Sequence, residues 1–109
     1  MSRGHNYNDY DGVLAKEAMI KFLEENKWFP LVHPTNTEYE ASKLLNIILD
    51  LTIDGITSEV LCKRSDILEF LGNRRMFPNK ETSEEEIEIA ITLNNILSRI
   101  MWEIKHEYE

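Results

Sequence analysis

The chain contains one cysteine, four glycines and three prolines in 109 residues, and it lacks a long apolar run. With Cys62 alone, an internal disulfide is excluded, and small secreted domains usually depend on such cross-links. The longest apolar stretch, residues 44–53, is interrupted by Asn46 and Asp50 and is too short to cross a bilayer. The first eleven residues have no apolar signal core. These absences predict a cytoplasmic, soluble protein without a membrane partner.

The residues that usually carry catalysis are scarce and scattered. Four glycines leave no glycine-rich phosphate loop, and no two of His5, His33 and His106 stand at metal-ligand spacing on one helix. No His and Asp or Asn arrangement near Cys62 follows from the sequence, so a buried structural thiol is favoured. We therefore expect a protein that is not an enzyme, with no catalytic residue, metal or cofactor.

The composition is that of one folded domain with an acidic surface. Hydrophobic residues make up 42% of the chain, and the net charge is −8. The charge is uneven, with net −1 over residues 1–35, −4 over 36–60, +3 over 61–80 and −6 over 81–109. An acidic surface repels nucleic acid and membrane phosphates and attracts basic partners. Residues 61–80 are the exception.

The spacing of apolar residues predicts an all-α protein. Residues 1–11 are polar and predict a flexible N-terminal segment, and residues 12–109 form a single helical domain. Four helices are predicted: one from Val13 to the Phe29-Pro30 elbow, one from the capping box Thr35–Glu38 to Asp54-Gly55, one from Thr57 or Ser58 to Gly72-Asn73, and one over residues 83–107. The last begins with a second capping box, and its apolar residues Ala90, Leu93, Leu97, Ile100 and Ile104 predict a buried seam.

The chain resembles itself when it is shifted by 48 residues. Ten of the 41 pairs from 13/61 to 53/101 are identical, and both capping boxes fall in register. Phe29-Pro30 coincides with Phe77-Pro78, which predicts that each proline ends a helix while the aromatic ring anchors the elbow in the core. We therefore predict a four-helix bundle from two pseudo-symmetric helix–elbow–helix repeats, over residues 13–55 and 58–107.

One acidic motif resembles part of an enzyme signature. Glu84-Glu85-x-x-Glu88 is similar to the first half of the metal-binding pattern of the all-α nucleotide pyrophosphohydrolases, which read EExxE and then ExxD on the next helix. That resemblance implies a magnesium-dependent nucleotide hydrolase. The chain departs from the pattern because no ExxD follows. Carboxylates in a first helical turn are also stabilised by the helix dipole, which explains the same residues without a metal.

Acidic helix faces indicate a protein partner with a basic surface. Rows of carboxylates on a rigid helical body can imitate nucleic-acid phosphates and occupy a basic, DNA-binding cleft. The chain is similar in size and charge to small acidic phage-encoded inhibitors that act as DNA mimics. The candidate partner-binding residues are Asp50, Asp54, Glu59, Glu84, Glu85, Glu88, Met101 and Trp102. Trp102 falls outside the seam of the last helix, and Met101 is beside it in the sequence. If both side chains are exposed, they form an apolar patch through which a homodimer could associate.

The basic segment 61–80 supports an alternative function, that of a small DNA-binding regulatory protein. A helix-turn-helix protein places such groups at phosphates. The candidate nucleic-acid-binding residues are Lys63, Arg64, Arg74, Arg75 and Lys80. The acidity of the whole chain favours the protein partner over direct nucleic-acid binding.

Overall fold

The computed structural model describes residues 16–107, which form four helices and, within that range, no strand. The helices are α1 (Lys16–Glu25), α2 (Asn36–Thr57), α3 (Arg64–Gly72) and α4 (Glu84–Glu107). The predicted all-α bundle is confirmed. The predicted flexible segment 1–11 and the predicted start of the first helix at Val13 lie outside the described residues.

Both predicted capping boxes form, and they determine where the two long helices begin. The amide of Glu38 donates to Thr35 Oγ1 over 3.1 Å, and the amide of Thr35 donates to Glu38 Oε1 over 3.0 Å. Ser83 and Glu86 make the same reciprocal pair, both at 3.2 Å. Each box satisfies amides that have no partner in the first helical turn. The predicted starts of α2 and α4 are therefore confirmed.

The predicted ends of α3 at Gly72 and of α4 at residue 107 are confirmed, whereas the predicted ends of α1 and α2 are wrong by a few residues. α1 ends at Glu25 instead of Phe29, and α2 continues through Asp54-Gly55 to Thr57. Gly55 lies inside the helix, and the side chain of Leu61 folds back against it. A Cβ at Gly55 would lie 2.7 Å from Leu61 Cδ1. The close approach of Leu61, rather than a helix stop, explains this glycine.

The third helix begins later than predicted because the chain first makes a turn. The amides of Val60 and Leu61 both donate to the Gly55 carbonyl, and Glu59 adopts a left-handed backbone with φ of 66°. This closes the C-terminal end of α2. Val60 is exposed, since it lies in this turn.

The core lies where α2 and α4 pack along one another. Asn36 Nδ2 donates to Glu85 Oε2 and Thr37 Oγ1 to Glu88 Oε1, so the two helices begin at the same end of the bundle. α1 runs antiparallel to α2, with Lys16 beside Glu59. The predicted seam of α4 is confirmed, because Ala90, Leu93, Leu97, Ile100 and Ile104 are all at most 1% exposed. It packs among the buried residues Leu45, Leu49, Ile56, Ile67 and Leu71.

Each elbow is held by one asparagine side chain. The Asn46 amide accepts from the backbone N–H of Trp28 and donates to its carbonyl, both over 2.9 Å. Asn94 makes the same two bonds to Met76, over 2.7 and 2.6 Å. The anchored residue and its asparagine are 18 positions apart in each case.

The prediction that the elbow phenylalanines anchor the core is wrong. Phe29 is 67% exposed and Phe77 is 75% exposed. The physical reason is that the asparagine holds the backbone of the preceding residue, and the next side chain then points away from the return helix. Phe29 and Phe77 are therefore surface residues.

Candidate partner-binding surfaces

The first turns of α2 and α4 form one acidic end of the molecule. The hydrogen bonds from Asn36 to Glu85 and from Thr37 to Glu88 hold these turns side by side. The carboxylates exposed there, which we call the acidic end, are Glu38, Glu84, Glu85, Glu86 and Glu88. The structure thus brings together the three predicted partner-binding residues of α4 and adds two capping glutamates.

Four of the five carboxylates of the acidic end accept hydrogen bonds from polar groups. Glu38 and Glu86 accept from capping amides, and Glu85 and Glu88 accept from neutral side chains of α2. No ion pair joins any of the five to a basic group among residues 16–107. The amide ends of two adjacent helices favour this negative charge. The end therefore presents uncompensated carboxylates to solvent.

The other predicted acidic residues lie elsewhere. Asp50 and Asp54 are on the exposed side of α2, roughly 20 Å along the helix from its first turn at 1.5 Å per residue. Asp50 is paired with Lys27 Nζ at 2.5 Å, and Glu59 is paired with Lys16 Nζ at 2.6 Å. The structure therefore does not join Asp50, Asp54 and Glu59 to the acidic end.

The ion pairs change the titration of two groups. The hydrogen bond from Lys27 to Asp50 raises the pKa of Lys27 above its ordinary value, with a smaller contribution from Glu24. The hydrogen bond from Lys16 to Glu59 lowers the pKa of Glu59. Both charges are therefore favoured by internal partners, which makes Asp50 and Glu59 less available to an external cation.

The two residues of the predicted apolar pair, Met101 and Trp102, differ in how far their side chains are exposed. Met101 is half-buried against the core, and its methyl group lies 3.4 Å from the point where a Cβ would lie if Gly72 carried a side chain. Trp102 is 57% exposed, and its ring lies 4.5 Å from that of His106, centre to centre. Of these two residues, it is Trp102 that offers a large apolar surface to a partner.

The basic segment is also divided, because its residues lie at opposite ends of α3. Lys63 and Arg64 are at the start of this helix, while Arg74 and Arg75 follow its end, roughly 13 Å away along the axis. Lys80 lies in the elbow beyond. The five predicted nucleic-acid-binding residues therefore do not form a single face.

Two arginines of this segment lie against aromatic rings. The guanidinium of Arg74 is 4.0 Å from the centre of the Phe70 ring, and that of Arg75 is 5.5 Å from the Phe77 ring. Arg75 Nε also donates to the Gly72 carbonyl over 3.2 Å. Sequence reasoning missed these contacts, because the spacing of Arg75 and Phe77 does not reveal which way either side chain turns.

The remaining candidates for chemistry are dispersed. Cys62 is exposed, so the prediction of a buried thiol is wrong; its Sγ donates to the Glu59 carbonyl over 2.9 Å because it lies in the turn after α2. His33 and His106 are exposed, and His5 lies outside the described residues. Within residues 16–107, no three His, Cys, Asp or Glu side chains are grouped as metal ligands, and no helix is long and apolar enough to cross a membrane.

Comparison of the chain with protein-family models, with curated proteins and with solved structures gives no match.

Proposed function

We propose that this is a non-enzymatic binding protein, an inhibitor or adaptor that presents acidic helix faces to a basic protein surface. The observation that carries this proposal is the adjacent placement of the first turns of α2 and α4, tied by Asn36–Glu85 and Thr37–Glu88. It gathers exposed carboxylates of two helices at one end of a rigid bundle.

The arrangement suits a partner that normally binds nucleic acid. Glu84 and Glu88 lie one helical turn apart, about 6 Å along the axis. Carboxylates on a folded helical body need no ordering of the backbone on binding, and they steer a basic cleft toward themselves over a Debye length. A DNA-mimic inhibitor acts by occupying such a cleft in place of phosphates.

We further propose that the bundle consists of two helix–elbow–helix repeats related by an approximate internal dyad. Three correspondences at a shift of 48 residues support it. These are the starts of α2 and α4, the two reciprocal capping boxes, and the asparagine bonds of Asn46 and Asn94. In this proposal each half supplies one long helix to the shared core.

The partner proposal is tested by comparing two variants of equal charge. In the first, Glu84, Glu85 and Glu88 become Gln; in the control, Glu17, Glu25 and Glu69 become Gln, since these three are exposed and lie away from the acidic end. Each tagged protein is incubated with nuclease-treated lysate of the native host and eluted with a salt gradient. Retained proteins are identified by mass spectrometry.

We expect wild type and control to retain the same basic protein, which leaves at moderate salt and is displaced by duplex DNA. The acidic-end variant should lose it. Equal retention by both variants, or retention that DNA cannot displace, would overturn the proposal.

Trp102 supports a homodimer as a second association of the same protein. Its exposed ring is a large apolar surface at the far end of α4 from the acidic end. Light scattering should give a dimer for wild type and a monomer for Trp102→Ser. A monomeric wild type across micromolar concentrations would exclude it.

A further inference from the structure

We propose that the elbow between α3 and α4 carries a separate site for single-stranded nucleic acid, formed by Arg74, Arg75 and Phe77. We call these three residues the basic elbow. The residues of this site precede α4, and no ion pair among residues 16–107 joins them to the carboxylates of the acidic end.

Unpaired positive charge is the first observation that supports this site. The chain has 20 acidic residues and a net charge of −8, so partners for basic groups are plentiful. The ion pairs formed by Lys16, Lys27, Lys43 and Arg99 nevertheless all lie outside residues 61–80. Arg74, Arg75 and Lys80 make no ion pair with any residue that the structure describes. Their charge remains available to an external anion.

The aromatic rings provide the second observation. Arg75 lies over the Phe77 ring, and Arg74 lies over the Phe70 ring. Arg75 Nε donates to the Gly72 carbonyl, but a guanidinium stacked on a ring keeps its terminal N–H groups for a phosphate oxygen, and the stack limits its rotation. Phe77 is 75% exposed, so one face of its ring is open to a nucleobase. Stacked bases beside paired phosphate contacts are the usual means of binding single strands.

A flexible single strand fits this surface better than duplex DNA does. α3 has only nine residues and carries Asp66 and Glu69, which makes it a poor recognition helix for a major groove. Lys63 and Arg64 lie at its other end, so the cations do not extend along one duplex face. The basic elbow is short and non-helical, which suits a few unstacked nucleotides.

The elbow between α1 and α2, which we call elbow one, provides a matched comparison with the elbow between α3 and α4, which we call elbow two. Phe29 is exposed like Phe77, but Lys27, which corresponds to Arg75, is paired with Asp50 and Glu24. Leu31 and Val32 stand where elbow two has Asn79 and Lys80. Elbow one thus has the ring without the free cations, and the site belongs to the second half alone.

The test is fluorescence anisotropy of a labelled oligothymidine of about ten nucleotides, within the site sizes of single-strand binders, at about 0.05 M salt. We expect Arg74→Gln/Arg75→Gln to weaken binding by about tenfold or more, since charge-assisted phosphate contacts are lost. Phe77→Ala should weaken it by about fivefold or more, the equivalent of one lost base stack. Phe29→Ala should bind as wild type does.

Two comparisons complete the test. A duplex of the same length should bind more weakly than the single strand, and polyglutamate should compete poorly. The proposal is overturned by absence of oligothymidine binding at low salt, by equal effects of Phe77→Ala and Phe29→Ala, or by polyglutamate binding that needs the arginines but not Phe77. Circular dichroism of each variant checks that the substitutions leave the helices intact.

Discussion

The two elbows have the same anchor but different surfaces. In both, an asparagine amide of the return helix holds the backbone two residues before a proline, and the intervening phenylalanine is exposed. Elbow one then continues with Leu31 and Val32, which are 91% and 74% exposed. Elbow two instead closes a polar turn, in which Asn79 accepts from the Glu81 amide and donates its own amide to Thr82 Oγ1.

This difference separates what the fold requires from what it leaves free. The backbone bonds and the proline recur because both elbows must reverse the chain against a buried helix. The exposed positions after the proline differ because packing does not constrain them. Recognition of different partners by the two halves would therefore require no change in the core.

The largest expected effect concerns two core residues that would be equivalent in the proposed repeat. Leu49→Ala and Leu97→Ala should each lower the free energy of unfolding by about 3 kcal/mol, because both side chains are fully buried and leave a cavity. Urea denaturation measures both, with the exposed Leu31→Ala as a control near zero. A difference of more than about 2 kcal/mol between the two would contradict equivalent packing.

The next effect tests the elbow anchors. Asn46→Ala should cost about 2 kcal/mol and Asn94→Ala about 1 kcal/mol, since each removes two hydrogen bonds and the bonds of Asn46 are less exposed. Thermal unfolding of both variants measures the difference, and the exposed neighbour Asn95→Ala serves as the control. Values below about 0.3 kcal/mol for both would show that the anchors do not hold the elbows.

The capping boxes should give a smaller and more equal pair of effects. Thr35→Ala and Ser83→Ala each remove the acceptor of one first-turn amide, which costs about 1 kcal/mol. Thr35→Ser should retain most of the stability because the hydroxyl is preserved. Chemical denaturation of the three variants checks this, and a loss in Thr35→Ser equal to that in Thr35→Ala would reject the capping explanation.

The smallest expected effect concerns an ion pair that is present at elbow one and has no counterpart at elbow two. Lys27 is paired with Asp50, whereas the corresponding Arg75 has Ser98 at the matching position of α4. Asp50→Ser should cost about 0.5 kcal/mol at neutral pH and less at high salt, as for other exposed pairs. Ser98→Asp should stabilise by a similar amount if the second half accepts the same pair.

The pH dependence of the Asp50→Ser effect follows from the raised pKa of Lys27. The pair contributes fully below the ordinary lysine pKa of about 10.4, and its contribution is lost as pH rises through the raised value in the folded protein. Thermal unfolding at increasing alkaline pH should therefore bring wild type and variant together. A constant difference would assign the effect to something other than this ion pair.

Features with short-range chemical signatures were predictable from the sequence. Both capping boxes are readable because a hydroxyl and a glutamate three residues apart satisfy each other's amides. The seam of α4 is readable because its spacing places five apolar residues on one face. The all-α class follows from these two signals.

Features that depend on tertiary contacts were not predictable. Gly55 looks like a helix end, and only the fold brings Leu61 against it. The Phe-Pro elbows look like core anchors, and only the long-range bonds of Asn46 and Asn94 explain why the rings are exposed. The grouping of the acidic end and the absence of pairs at the basic elbow likewise depend on which helices lie side by side.

The asparagine anchors also have a consequence for the order of folding. Each anchor joins residues only 18 positions apart, so either helical hairpin can close through a short loop at a low entropic cost. The contact between α2 and α4 spans a much longer stretch of chain, as the bond between Thr37 and Glu88 illustrates. Folding of the bundle should thus proceed through two locally closed hairpins whose docking is the slower, later event.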